Sequence, residues 1–146
     1  MRVLLVDDYQ PFRACLAKYL ANHGAEVVEA GDGKVALELT RQRGFDVIVL
    51  DVEMPTMDGV EMFTRLDPVH AARTLLVTAG GRFEREGWVG RFADDRVFWK
   101  PVDLDRLMKA IESLALARHL PDVRDVIDGV VPLRGVAGAP RPAPRG

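Results

Sequence analysis

A chain of 146 residues, 48% hydrophobic and 29% charged, has the length and composition of one globular domain that can bury its own core, which excludes wholesale disorder. Twenty Lys and Arg against 22 Asp and Glu leave a net charge of -2, which gives no electrostatic ground for broad nucleic-acid or anionic-membrane binding. A single cysteine excludes an internal disulfide and a thiolate zinc site, and fits a reducing compartment.

The first apolar run, residues 3–6, stops at Asp7 and Asp8. It is too short and too soon acidic for a signal peptide. No window reaches the roughly 18 apolar residues of a membrane span, so the expectation is a cytoplasmic protein. The run reads as a strand, and Phe12, Cys15, Leu16, Tyr19 and Leu20 then follow at helical spacing, with Pro11 near the helix start. On that stripe Cys15 is expected as a small buried hydrophobe. Val27 and Val28 mark a second strand, and Asp32 is an N-cap for a helix through Val35, Ala36 and Leu39. A third apolar run covers residues 47–50, and Asp58 caps a helix through Val60, Phe63 and Leu66. Residues 75–77 form a fourth run and residues 97–99 a fifth. Asp103 caps the clearest helix, with Leu104, Leu107, Met108, Ile111 and Leu114 at three- and four-residue steps. Between the last two strands, Gly80, Gly81, Gly87 and Gly90 predict a short or partly non-helical connection, held by Phe83, Trp88 and Phe92.

Composition shifts near residue 118. Residues 1–117 carry 15 Lys and Arg against 19 Asp and Glu, whereas residues 118–146 carry five Arg and three Asp. The boundary read from this is a domain over 1–117 and a C-terminal extension over 118–146. In the extension a short helical turn is expected near 122–128, from Val123, Val126 and Ile127. A disordered Pro- and Arg-rich tail follows.

Continuous apolar strands alternating with helices imply right-handed crossovers and a parallel sheet covered on both faces. In such sheets, functional groups gather beyond the carboxyl ends of the strands. There the sequence places Asp7 and Asp8 after the first strand, Asp51 after the third, Thr78 after the fourth, and Lys100 with Pro101 after the fifth. Two like charges ~4 Å apart repel by about 4 kcal/mol at an effective dielectric of 20, so three acids at one rim favour a divalent cation. All-oxygen ligation suits Mg2+ or Mn2+.

These segments (Leu4-Leu5-Val6-Asp7-Asp8, residues 49–59 around Asp51, Val77-Thr78-Ala79, and Lys100-Pro101) resemble the response-regulator receiver domains of two-component signalling, the CheY-like family, over residues 1 to about 117. The resemblance implies an α/β fold, a doubly wound five-stranded parallel sheet of flavodoxin-like order 2-1-3-4-5 with helices on both faces. It implies a phosphoacceptor switch in which Asp51 takes a phosphoryl group from a histidine kinase or phosphotransfer protein. Asp7, Asp8, Asp51 and the Glu53 backbone carbonyl would hold Mg2+ or Mn2+. Lys100 would pair with the phosphoryl group and Thr78 would donate a hydrogen bond to it. Small Ala79 would leave the approach to Asp51 open, and Glu53 would tune the lifetime of the acyl phosphate. Gly59 would supply backbone freedom in the turn after the site, where Pro55 fixes the loop.

Two departures stand out. Many relatives carry an aromatic residue three positions before the lysine, where this chain has Val97. Trp99 is bulky where small residues are usual. It would either widen an apolar partner surface or fill the gap left by a poor connection before it. His23, His70 and His119 show no ligand spacing. Residues 118–146 are not expected to supply a helix-turn-helix or a catalytic domain, so beyond its own phosphorylation and dephosphorylation no enzyme activity is implied, and output would come from contacts with a downstream protein, from passing the phosphoryl group on, or from a domain outside this chain. A homodimer through the last strand and helix is a family-level expectation. A first strand so near Met1 suits a stand-alone regulator. The alternatives are a receiver-like binding module that works without phosphorylation, a receiver module detached from a hybrid kinase and, last, an aspartyl-phosphate phosphatase reading of Asp51-Val52-Glu53.

Overall fold

All five apolar runs pair into one parallel sheet in the computed structural model, which describes residues 1–81 and 92–117. The strands are β1 (Arg2–Val6), β2 (Glu26–Ala30), β3 (Val47–Asp51), β4 (Thr74–Thr78) and β5 (Val97–Trp99). Their order is β2-β1-β3-β4-β5. Every residue of β3 and β4 is buried. That is why these runs are apolar without alternation: each face meets a layer of helices.

The helices are α1 (Gln10–Asn22), α2 (Gly33–Gln42), α3 (Gly59–Arg65), α4 (Pro68–Ala72) and α5 (Leu104–Leu116). Two cores result, separated by the two-residue period of the strands. Val3, Leu5, Val49, Leu75 and Val77 meet Leu16 and Leu20 of α1 and Leu107 and Ile111 of α5. Leu4, Val6, Ile48, Leu50 and Leu76 meet Ala36 and Leu37 of α2 and Met62 and Phe63 of α3. The parallel α/β layering is as the alternation of runs implies, and the strand order is as the family resemblance implies.

The expected caps form. Asp32 accepts from the Val35 N–H at 2.9 Å, Asp58 from Glu61 at 2.8 Å and Asp103 from Arg106 at 3.1 Å. Each satisfies an amide that the first turn leaves without a partner.

Several details differ from expectation. Cys15 is exposed, not buried. The face of α1 that meets the sheet runs through Leu16 and Leu20, and Cys15 lies ~100° around the helix from Leu16. In α2 the buried positions are Gly33, Ala36, Leu37 and Thr40, while Val35 is exposed. The phase of each stripe is set by the neighbouring sheet, not by the local run of apolar residues. Gly59 is required for close approach, not for an unusual dihedral: a Cβ there would lie 2.3 Å from the Asp51 carbonyl oxygen and 2.8 Å from Val52 Cα. In this loop the residue with positive φ is Thr56.

Helix α4 had no counterpart among the sequence-predicted elements. Asp67 caps it through the His70 N–H, Pro68 occupies its first turn, and buried His70 bridges two loops. The His70 Nε2 lies 3.3 Å from the Phe45 N–H, which can only donate, so Nδ1 carries the proton toward Asp67 Oδ2. Arg96, in the 3-10 turn Asp94–Arg96, is fully buried and donates to the Ala71 and Ala72 carbonyls at the end of α4.

Phe92 is buried edge-on against Phe63 of α3, with ring centroids 4.9 Å apart. The rest of the glycine-rich connection, residues 82–91, lies outside the described residues, as do Phe83 and Trp88. The extension over 118–146, with its expected turn and tail, also lies outside them. No described helix is long and apolar enough to cross a membrane.

Candidate functional site

Four strands end at one rim, and each delivers a polar group there. Asp7 follows β1 and is 1% exposed; Asp51 closes β3 and is 5% exposed; Asp8 points to solvent. One carboxylate oxygen from each of the three lies within 4.8 Å of the others. Lys100, just after β5, sends Nζ to 3.1 Å from Asp7 Oδ2 and 3.6 Å from Asp51 Oδ1. Thr78 closes β4 and is fully buried.

Parallel pairing produces this convergence. Thr78 lies opposite Trp99 on β5, Asp51 opposite Val77 on β4, and Val6 opposite Leu50 on β3. Residues leaving the strands one step later must therefore meet. Asp7 uses both oxygens: Oδ1 accepts from the Tyr9 N–H at 2.9 Å, which leaves Oδ2 for Lys100.

The electrostatics are unbalanced, with three carboxylates against one ammonium. Burial, and next the Asp7 carboxylate, push the Asp51 carboxyl up to about 7, against the opposing pull of Lys100. The donor set is all oxygen, tightly grouped, and short of positive charge. That chemistry fits a hard divalent cation such as Mg2+ or Mn2+ and not zinc.

Around this group the structure places the remaining sequence-predicted residues. Thr78 Oγ1 accepts from the Gly80 N–H at 3.0 Å, which fixes the hydroxyl oxygen while leaving its proton to donate. Ala79 is exposed beside it. Gly80 and Gly81 both have positive φ, and Glu53 Oε1 reaches to 3.2 Å from where a Gly81 Cβ would be, so Gly81 makes room for that carboxylate. Val97 opens β5 and, as a strand residue should be, is buried in the core between the sheet and the α2–α3 layer. Trp99 is half-buried against the same core.

The model for response regulator receiver domains matches residues 3–112. The chain belongs to this family. It is similar to the virulence sensor protein BvgS of Bordetella bronchiseptica, 31% identical over 129 residues, covering 83% of this chain and 10% of that protein. It is equally similar to the transcriptional regulatory protein SrrA of Staphylococcus aureus, 31% identical over 136 residues, covering 86% of this chain and 55% of that one. The chain thus spans about a tenth and about half the length of these two relatives. Among solved structures it resembles the response regulator protein TrrA from Thermotoga maritima in complex with Mg2+-BeF. The TM-score is 0.66 at 27% identity, covering 77% of this chain and 97% of that one.

Two contributors were read only as packing or passed over in the sequence. Arg13 donates to the Asp7 carbonyl at 2.7 Å and to Glu29 Oε1 at 3.1 Å. The Phe12 ring lies 4.7 Å from Lys100 Nζ. Their signal was position: both stand in the first turn of the helix that follows Asp7 and Asp8, where side chains overhang the rim.

Proposed function

We propose that this receiver domain is a phosphoacceptor switch, with Asp51 as the residue that takes the phosphoryl group. The observation carrying this reading is the buried Asp51 carboxylate between Lys100 and the Asp7–Asp8 pair at the open end of a parallel sheet. Its donor is a phosphohistidine of a kinase or phosphotransfer protein. An Asp51 oxygen attacks phosphorus, the P–N bond breaks, and its electron pair returns to the imidazole nitrogen, which takes up a proton. An acyl phosphate results. A carboxylate attacking an anionic phosphoryl group needs charge neutralised more than it needs covalent help.

Lys100 supplies a positive charge from the β5 side, exchanging its contact with Asp7 for the incoming oxygens. Thr78 donates its hydroxyl proton to the phosphoryl group while its oxygen stays held by the Gly80 N–H. Asp7, Asp8, Asp51 and the Glu53 carbonyl are the groups that would hold Mg2+ or Mn2+, which when bound offsets the carboxylate charge and that of the phosphoryl oxygens. The Glu53 carboxylate, close to Gly81, stands where it bears on water reaching the acyl phosphate. Output passes to a protein partner through the surfaces that respond to Thr78 and its loop.

Incubation of the full chain with Mg2+ and a small phosphodonor, followed by intact mass measurement, tests this. A single phosphoryl adduct on the wild type and none on Asp51→Asn is the expected result. No adduct on the wild type, with Mg2+ binding demonstrated, refutes the switch and leaves a binding module that works without phosphorylation.

A further inference from the structure

The geometry points to Phe12 as a positioning residue for Lys100, holding its ammonium at the rim through the face of the aromatic ring. This rests on the phosphoacceptor reading and adds to it a residue that touches neither the phosphoryl group nor a cation.

Lysine is a point charge on a flexible four-carbon stem, so its reach alone does not say where the charge stays. Among the described residues, Nζ lies near Asp7 Oδ2 at 3.1 Å, Asp51 Oδ1 at 3.6 Å and the Phe12 ring centroid at 4.7 Å. The last distance falls well inside the ~6 Å over which a ring face attracts a cation. An ammonium has three N–H donors and no acceptor. A third carboxylate in place of the ring would occupy another donor and add negative charge beside Asp51. The ring attracts the charge without doing either, so the ammonium keeps its place at the rim when its contact with Asp7 is exchanged for the oxygens of an incoming phosphoryl group.

Phe12 is itself held. Arg13, the next residue in α1, donates from Nη1 to the Asp7 carbonyl at 2.7 Å and from Nε to Glu29 Oε1 at 3.1 Å. These bonds tie the first turn of α1 to the ends of β1 and β2 and fix the rotation of the helix. A Cβ on Gly31 would come within 3.2 Å of Arg13 Nη1, so the β2 end is shaped to admit the guanidinium. Asp7 and Phe12, the groups that grip Lys100 from two sides, are thereby locked to one another. Phe12 is only partly buried, packed at the edge of the α1–α5 core.

The test compares wild type, Phe12→Leu and Phe12→Tyr in the full chain. Leucine keeps apolar packing and removes the ring; tyrosine restores the ring. The rate constant for phosphorylation by a small phosphodonor should fall about two- to five-fold in Phe12→Leu and return to near the wild-type value in Phe12→Tyr. Mg2+ affinity should be the same in all three. The Lys100 ε-methylene protons should be shifted upfield by the ring in wild type and Phe12→Tyr, and lose that shift in Phe12→Leu. A wild-type rate in Phe12→Leu, or equal slowing in both variants, overturns the proposal while leaving the phosphoacceptor reading intact. Absence of any adduct on wild-type protein overturns that reading itself, with the upfield shift reporting the Phe12–Lys100 stacking independently.

Discussion

Replacing Asp51 with asparagine should stabilise the cation-free fold at neutral and alkaline pH. The Asp51 carboxyl is raised from 3.8 to about 7 by burial and by Asp7. Because the folded-state value lies above the unfolded one, ionising this group opposes folding. Below about pH 4 both states hold the proton and there is no penalty; between about 4 and 7 the unfolded chain ionises first and stability falls as pH rises; above 7 the penalty is complete. At 1.36 kcal/mol per pH unit the full penalty is about 4 kcal/mol. That penalty is already net of the attraction of Lys100 at 3.6 Å; asparagine removes it but replaces a carboxylate oxygen by an amide group that the site does not fully pair, so the net gain should be about 1–3 kcal/mol. For a domain of this size that is a Tm increase of about 4–12 °C. Thermal melts of the full chain in chelator should show the increase at pH 8 and lose it near pH 4. Saturating Mg2+ should narrow or reverse the difference, because it stabilises the folded wild type in proportion to its binding. A variant that melts at or below wild type in chelator at pH 8, or one whose gain is equal at both pH values, would refute the reading of a charge-crowded rim.

Gly59→Ala should cost about 2–4 kcal/mol, read from the urea midpoint, since the new Cβ would meet the Asp51 carbonyl and the Val52 Cα, neither of which can rotate away. His70→Ala should lower stability by about 1–3 kcal/mol and speed hydrogen exchange at the Phe45 amide, because that N–H loses its acceptor in a buried place. Asp103→Ala should cost about 1 kcal/mol, measured by denaturant titration, through loss of the bond to the Arg106 N–H at the start of α5.

Much of the site was legible because parallel strands make it so. Once residues 3–6, 47–50, 75–77 and 97–99 are recognised as strands with both faces covered, their next residues must emerge at one rim. Asp7, Asp51, Thr78 and Lys100 follow from that rule. Asp32, Asp58 and Asp103 were legible as caps because capping needs only a side chain and an amide two or three residues away. Cys15 and Val35 were misplaced for the opposite reason. A helical stripe gives a period, but the sheet it packs on fixes which residue of the stripe turns inward. The start of α4 carried a local signal in Asp67-Pro68 that was passed over, whereas the burial of His70 and Arg96 had none, since Phe45 meets His70, and Ala71 and Ala72 meet Arg96, only across the fold.

The amino-acid sequence by itself determined the layered α/β architecture, the strand ends and the chemical inventory of the rim, because these rest on short-range periodicity and on one topological rule. Tertiary structure alone decided how that inventory is spent. It gives one oxygen of Asp7 to the Tyr9 amide and the other to Lys100, buries Asp51 deeply enough to raise its carboxyl, and sets the Phe12 ring beside the ammonium. Apart from the local Asp7–Tyr9 bond, these depend on distances between residues far apart in the chain, and electrostatic energies at 3–5 Å in a partly dry site turn on those distances rather than on composition.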